Sequence, residues 1–197
     1  MEKQLIISVG REYGSGGHEI AEKLAKHYDI QLLDHNLLDE IAAKKNVNMD
    51  HLKDLDEKHK KTLSSRTVRG YSSSPEENML YLQFDYLRDK ADSGESFVIV
   101  GRCSETILKQ YDSMISIFIL ADRDKRTERI MRLYHLTESE AVKKIREKDM
   151  SRRRYHNSFC VGKWGDCRNY DVSLNSSKLG IDGSVKLLTD YIDRRIR

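Results

Sequence analysis

Leu5-Ile6-Ile7-Ser8-Val9-Gly10-Arg11-Glu12-Tyr13-Gly14-Ser15-Gly16-Gly17-His18 is the stretch on which the reading of this chain turns. Its first five residues are apolar, brief and rich in β-branched side chains, and Gly10 stops them, the pattern of a buried strand. Beyond His18, Ile20, Ala21, Leu24 and Ala25 recur at three and four, the pattern of a helix with one apolar face. Glycines set between a strand and a helix let backbone N–H groups turn inward, making an anion nest at the helix N-terminus. The general phosphate-loop motif has lysine at the position of Gly17 and serine or threonine at that of His18. This chain keeps the backbone chemistry and omits the side-chain charge. An ordinary glycine-rich strand-to-helix turn is the competing reading.

Further along, Phe97-Val98-Ile99-Val100, halted by Gly101, repeats the short apolar run, and Ile115 to Leu120 does so again. Asp171-Val172-Ser173-Leu174 and Gln31-Leu32-Leu33 are weaker versions. Runs that are apolar throughout, without alternation, belong to a parallel sheet covered on both faces. Helical patterns separate them. Ser74-Pro75-Glu76-Glu77 opens one, with proline in the first turn and a glutamate placed for a capping box. Thr137-Glu138-Ser139-Glu140 opens another, toward Lys148 or beyond, and a terminal helix follows the strand at Val172. This order predicts an α/β fold: a five-stranded parallel sheet with helices on both faces. The strand from Leu5 to Val9 belongs at its centre, because a ligand-holding glycine loop lies at a switch point of the sheet. Residues 45–74, polar and carrying Arg66, Arg69 and the run Ser72-Ser73-Ser74, read as an excursion over the carboxyl edge of that sheet. So do residues 150–170, rich in arginine and aromatics.

Length and composition agree with one domain: 197 residues, 38% hydrophobic and 34% charged, with a single proline. Such a balance excludes a disordered chain. The 35 basic and 32 acidic residues leave a net charge of +3, too little to argue for nucleic acid. The apolar run after Met1-Glu2-Lys3-Gln4 is too short for a signal sequence, and no segment approaches the roughly 20 residues that span a bilayer. Three cysteines, an odd number, suit reduced thiols. A cytoplasmic chain with no membrane or nucleic-acid partner is therefore expected.

The opening stretch, from Ser8 through Ala21, resembles that of the cytidylate kinase-like family, whose loop is similarly lysine-free. Further matches run in order: Leu33-Asp34, Val100-Gly101-Arg102, Ala121 to Arg126, Asp149-Met150-Ser151-Arg152-Arg153-Arg154-Tyr155, Trp164-Gly165-Asp166, Asn169-Tyr170-Asp171 and Asn175-Ser176-Ser177. The resemblance implies a three-layer, P-loop NTPase-like fold: a single nucleotide-kinase domain over 1–197 with an acceptor-binding excursion about 36–92 and a lid about 150–170. It implies ATP as phosphoryl donor, Mg²⁺, and small-molecule nucleotide partners, with phosphoryl transfer to a nucleoside monophosphate, CMP or dCMP first. By the same resemblance Gly14, Ser15, Gly16, Gly17 and His18 hold the donor phosphates, Arg102 meets the acceptor phosphate, and Arg126 and Arg152 close on the donor. Where the family carries a small residue and an arginine after Asp34, this chain has His35 and Glu40.

The chemistry of the residues themselves points the same way. Phosphoryl transfer needs aligned substrates, excluded water and positive charge on the migrating group. Arginine meets the last need with a planar fork that bonds phosphate oxygens two at a time. Arg11 falls at the motif's first glycine and can bring back the charge that Gly17 omits, or else bond a carboxylate structurally. Asp34, at a strand end, orients the acceptor, holds Mg²⁺ through water, or caps the next helix. Arg126 and Arg129 share a helix face; Arg129 and one of Arg152, Arg153 and Arg154 are expected to be solvated, with Arg153 counted toward the acceptor. His18 suits capping or packing at the helix start. His156-x3-Cys160-x6-Cys167 invites a zinc reading, but structural zinc usually takes four ligands at closer spacing, so no metal site is expected. Trp164 and Tyr170 are expected to pack the lid. Other readings are a kinase of another small acceptor, such as a sugar or metabolite alcohol, a non-catalytic nucleotide-binding regulator and, weakest, a nucleic-acid binder.

Overall fold

The first strand, β1, runs from Ile6 to Arg11 and has a parallel neighbour on each side. Gly10 does not stop it. A Cβ on Gly10 would lie 2.8 Å from the Phe118 ring and 3.2 Å from that of Tyr170, so this glycine permits close approach of two aromatics inside the strand. The structure, a computed structural model, describes residues 3–34, 37, 41, 67–68, 71–72 and 75–196.

After β1 come α1 (Gly17–His27), β2 (Gln31–Leu33) and a small antiparallel pair, β3 (Thr67–Val68) with β4 (Tyr71–Ser72). Then follow α2 (Pro75–Asp92), β5 (Phe97–Val100), α3 (Ser104–Ile107), β6 (Met114–Leu120), α4 (Arg123–Tyr134), α5 (Glu138–Phe159), β7 (Val172–Asn175) and α6 (Ser176–Ile196), which is broken at Gly180. The main sheet has five strands, all parallel, in the order β2-β5-β1-β6-β7. The central position expected for the first strand is the one found.

Both faces of the sheet are covered, which is why its strands are apolar throughout. Ile6, Leu33, Phe97 and Ile99 point to one side, where Leu87 of α2 and Leu108 meet them. Ile7, Val9, Val98 and Ile117 point to the other, against α1 (Ile20, Leu24) and α6 (Leu188, Ile192). Each such side chain contributes about 1.5–3 kcal/mol on burial, so a register slip in a central strand is strongly disfavoured.

Thr137 and Glu140 form both halves of the capping box that opens α5. That helix continues to Phe159, so residues 150–159, read as part of an excursion, extend an existing rod. Beyond them Trp164 and Tyr170 pack on Phe118, with ring centroids 5.5 and 4.9 Å away. The second half of α2 is likewise a core helix, with Leu80, Phe84 and Leu87 buried. His35, Glu40, Arg66, Arg69, Ser73, Ser74 and most of 45–74 lie outside the described residues. No described helix is long and apolar enough to cross a membrane.

Candidate active site

β1 delivers the chain to Arg11, and α1 starts at Gly17, leaving Glu12 to Gly16 as the loop. Gly14 and Gly16 take φ of 84° and 78°, which side chains rarely tolerate. The N-cap of α1, Gly16, has no side chain to cap it, and Ser15 Oγ accepts only a long bond, 3.4 Å, from Gly17 N. The first-turn N–H groups of α1 have no acceptor within the helix, and the helix dipole adds to their pull on an anion. The loop is held from beneath. Glu12 N donates to Ile119 O (3.0 Å), Ser15 Oγ to Glu12 O (2.9 Å) and Ser176 Oγ to Ser15 O (2.6 Å). The Ser15 hydroxyl thus serves the loop itself.

The side chain of Arg11 occupies the space that a residue at position 17 would need. A Cβ built on Gly17 would lie 2.6 Å from Arg11 Cβ and 3.1 Å from its Cγ. From there the guanidinium lies across Gly101, where an added Cβ would be 2.3 Å from Nη1, and reaches Asp34 Oδ1 at 4.0 Å. Burial pushes the Arg11 pKa down to about 9, with the charges of Arg152 and Arg102 acting the same way and Asp34 opposing them. A guanidinium keeps its proton at neutral pH, so the depression reflects first the burial of this charge and then its cationic neighbours. Gly101, Arg102 and Cys103 follow one another at φ of 79°, 62° and 57°. Each non-glycine residue in that left-handed region costs roughly 1–2 kcal/mol, and the run holds Arg102 at the carboxyl end of β5.

His18 does not cap the helix. Its Nδ1 lies 3.2 Å from Asp34 Oδ2 and its Nε2 3.2 Å from Glu22 Oε1, so it positions the carboxylate across the cleft from the loop. Asp34 therefore meets both Arg11 and His18. As a site for Mg²⁺, which takes oxygen ligands, the Asp34 carboxylate fits and the His18 ring does not.

The arginines separate into distinct tasks. Arg126 is buried beneath the loop, where its Nε donates to Tyr13 O (2.8 Å), its Nη1 pairs with Glu12 (3.1 Å) and its Nη2 with Asp149, whose other oxygen accepts from Tyr13 N (2.8 Å). It braces the loop from below. Arg152, three residues along α5 from Asp149, donates to Arg11 O at 3.2 Å and lies 5.3 Å over the Tyr13 ring. Burial lowers its pKa, against the pull of Asp149. Arg153 stands apart from this cluster, 5.7 Å over the ring of Trp164, and Arg154 is exposed. Arg129, expected to be solvated, is half-buried and paired with Glu19 at 2.6 Å. With Gly14, Ser15, Ser177 and Ile181 it lines a cleft of about 400 Å³ beside the loop. The far wall is pinned by Asp122, whose carboxylate accepts from Asn175 (2.8 Å) and Lys178 (2.6 Å) and whose N–H donates to Ser177 Oγ (2.8 Å).

The sequence assigns no role to Glu12, Asp149 or Glu105, although Glu12 lies in the quoted loop and Asp149 opens one of the family matches; the spacing of Asp149 and Arg152, which puts both on one helix face, is a further signal. Glu105 anchors a second cluster. His156 Nε2 lies 2.7 Å from Glu105 Oε1, and Cys160 Sγ lies 3.9 Å from the same oxygen. The hydrogen bond with Cys103, against opposing burial, draws the Cys160 thiol down to about 5. Cys167, the third member of the spacing read for zinc, is exposed and outside this group.

Known proteins match this architecture. A protein named cytidylate kinase from Pyrococcus horikoshii is 26% identical over 195 residues, covering 96% of this chain and 91% of its own. One of the same name from Pyrobaculum islandicum is 24% identical, covering 95% and 92%. A crystal structure of a Eubacterium ventriosum protein is 38% identical, with a TM-score of 0.77 over 96% of this chain and 99% of that one. Shikimate kinase from Bacteroides thetaiotaomicron, 14% identical with a TM-score of 0.56 over 96% and 98%, shares the fold. The model of the cytidylate kinase-like family matches residues 6–178, and the chain belongs to that family.

Proposed function

We propose that this protein transfers the γ-phosphoryl group of ATP to a nucleoside monophosphate, with CMP or dCMP the first acceptor to expect. The observation that carries this reading is the placement of Arg11. Its stem packs against Gly17 at the start of α1 and its guanidinium lies across Gly101, with the charges of Arg102, Arg152 and Asp34 acting on it. Partly desolvated arginines beside a cradle of backbone N–H groups make a site for phosphate oxygens.

In this reading Gly14, Ser15, Gly16 and Gly17 cradle the β-phosphate with backbone N–H groups, and the cleft beside Arg129 takes the donor base. Arg102, with Arg153 further out, faces the acceptor; Arg11 and Arg152 stabilise charge on the migrating group; Arg126 keeps the loop in shape. Asp34 would hold Mg²⁺, with His18 orienting its carboxylate. The ion supplies charge neutralisation between the phosphates. Residues 36–92 carry the acceptor and 150–170 form the lid that excludes water.

ADP release from Mg-ATP in the presence of CMP, dCMP, UMP, AMP, GMP, shikimate or simple sugars tests the proposal. CMP or dCMP should give the highest kcat/KM. Turnover with an alcohol and not with any monophosphate transfers the protein to the other acceptor class. Nucleotide binding without ADP release makes it a binding protein.

A further inference from the structure

Three metal-ligating side chains converge just beyond Arg102, and a fourth lies beside them. Glu105 Oε1, His156 Nε2 and Cys160 Sγ all lie within 4.8 Å of one another, and Cys103, outside that group of three, is hydrogen-bonded to Cys160. None of the four residues is more than 8% exposed. Leu80, Phe84, Ile107 and Phe159 pack around the sulfurs, giving the cluster an apolar shell. An ionised carboxylate in such surroundings needs a compensating cation, a part that protonated His156 plays in the metal-free chain and a bound metal ion would take over.

The geometry suits a small tetrahedral ion. Zinc bonds of about 2.0–2.3 Å imply ligand-to-ligand edges of about 3.3–3.8 Å. The observed separations of 2.7 Å (Oε1 to Nε2) and 3.9 Å (Oε1 to Sγ) bracket that range, so Glu105, His156 and Cys160 need to shift by only about half an ångström, with Cys103 turning in from beside Cys160. His156 Nδ1 lies 3.3 Å from Asn157 Oδ1, which can keep a proton on Nδ1 while a metal displaces the one that Nε2 shares with Glu105. Two thiolates and one carboxylate outweigh the two charges of the ion by one, and the neighbouring Arg102, whose charge acts on Cys103, offsets the remainder. Sulfur with imidazole selects zinc over magnesium or calcium, which prefer oxygen throughout.

We propose that Cys103, Glu105, His156 and Cys160 bind one Zn²⁺ ion, a structural site that fastens the C-terminal end of α5 to the loop carrying Arg102. The ligands come in two pairs, Cys103 with Glu105 at the start of α3 and His156 with Cys160 at the end of α5, so the ion joins two elements that the backbone does not. Binding releases the two thiol protons and the Nε2 proton of His156 to solvent. All four positions are filled by protein, which leaves none open for a substrate.

The test uses the full-length, tag-free, reduced chain, stripped with a chelator and titrated first with Co²⁺ and then with Zn²⁺. The expected result is about one Co²⁺ per chain, with the visible bands of a tetrahedral site and a near-ultraviolet thiolate charge-transfer band, both removed by Zn²⁺. Cys160→Ser and Cys103→Ser should each lower that charge-transfer intensity and weaken binding at least tenfold, whereas Cys167→Ser should change neither. Zn²⁺ should also raise the melting temperature of the stripped chain, since an ion that binds only the folded state stabilises it by mass action. Should Cys160→Ser fail to fold, Glu105→Gln, which preserves shape, supplies the binding comparison. Absence of a charge-transfer band in the reduced wild-type chain overturns the proposal, and so does a band that Cys167→Ser removes.

Discussion

Arg11 and Gly17 exclude one another's side chains: a Cβ on residue 17 would lie 2.6 Å from the Cβ of Arg11. The lysine of the general phosphate-loop motif is therefore not just missing here; the arginine six residues earlier stands where its stem would begin. Gly17→Ala should destabilise the protein by about 1–3 kcal/mol, as overpacking of a tight site does. Arg11→Gly removes the opposing Cβ, so the double variant should be markedly less destabilised than the sum of the two changes. Denaturant unfolding of the four proteins in a double-mutant cycle measures the coupling. Additive effects would mean that the two side chains do not compete.

Arg11→Ala should depress kcat by roughly 10²–10³, the usual cost of losing one charge-stabilising donor, with a smaller change in the KM for nucleotide. Arg11→Lys should recover part of the loss, because charge survives while the bidentate fork does not. Steady-state kinetics with the best acceptor decides it; a change of only a few-fold in kcat, with the fold intact, would assign Arg11 to structure.

Arg126 is expected to matter chiefly for stability. It bonds Tyr13 O, Glu12 and Asp149 in a buried setting, so Arg126→Met leaves two carboxylates without their partner. Breaking a buried pair from one side costs about 3–5 kcal/mol. Asp149→Asn combined with Arg126→Met should lose less than the two single changes summed. Chemical denaturation checks both statements, and a loss below about 1 kcal/mol for Arg126→Met would contradict the bracing role.

The chain has one tryptophan, Trp164, edge-on to Phe118 with Arg153 over its ring. If residues 150–170 close over bound nucleotides, this indole changes its surroundings. Addition of a bisubstrate analogue should therefore shift Trp164 emission saturably, and hydrogen exchange should slow across 150–170. Binding seen by calorimetry with neither change would mean that the segment is already in its final position.

Arg129→Ala should raise the KM for ATP about tenfold, equivalent to about 1.4 kcal/mol of lost binding, with kcat little changed. Arg129 lines the cleft beside the glycine loop and pairs with Glu19, so its loss removes binding contacts and no transition-state charge. An equal fall in kcat would place it nearer the reacting phosphate than this geometry allows.

The five strands, their parallel order and the glycine loop could be read from the chain because they are written locally. An apolar run of strand length needs cover on both faces, a positive φ needs glycine, and a threonine with a glutamate three residues later opens a helix. The tasks of individual charged residues could not be read that way. Arg126 and Arg129 sit three apart on one helix, yet the first lies under the loop and the second lines the cleft, because Glu12, Tyr13 and Asp149 come from elsewhere in the chain to meet only one of them. Gly10 looked like a strand terminator until Phe118 and Tyr170 closed on it. Cys160 and Cys167 are near in sequence, but the fold brings Cys160 to Glu105, 55 residues away, and leaves Cys167 at the surface. Periodicity and backbone preference are properties of neighbours along the chain, whereas ion pairs and ligand sets depend on which distant segments come within a few ångströms, and only the packed sheet and helices decide that.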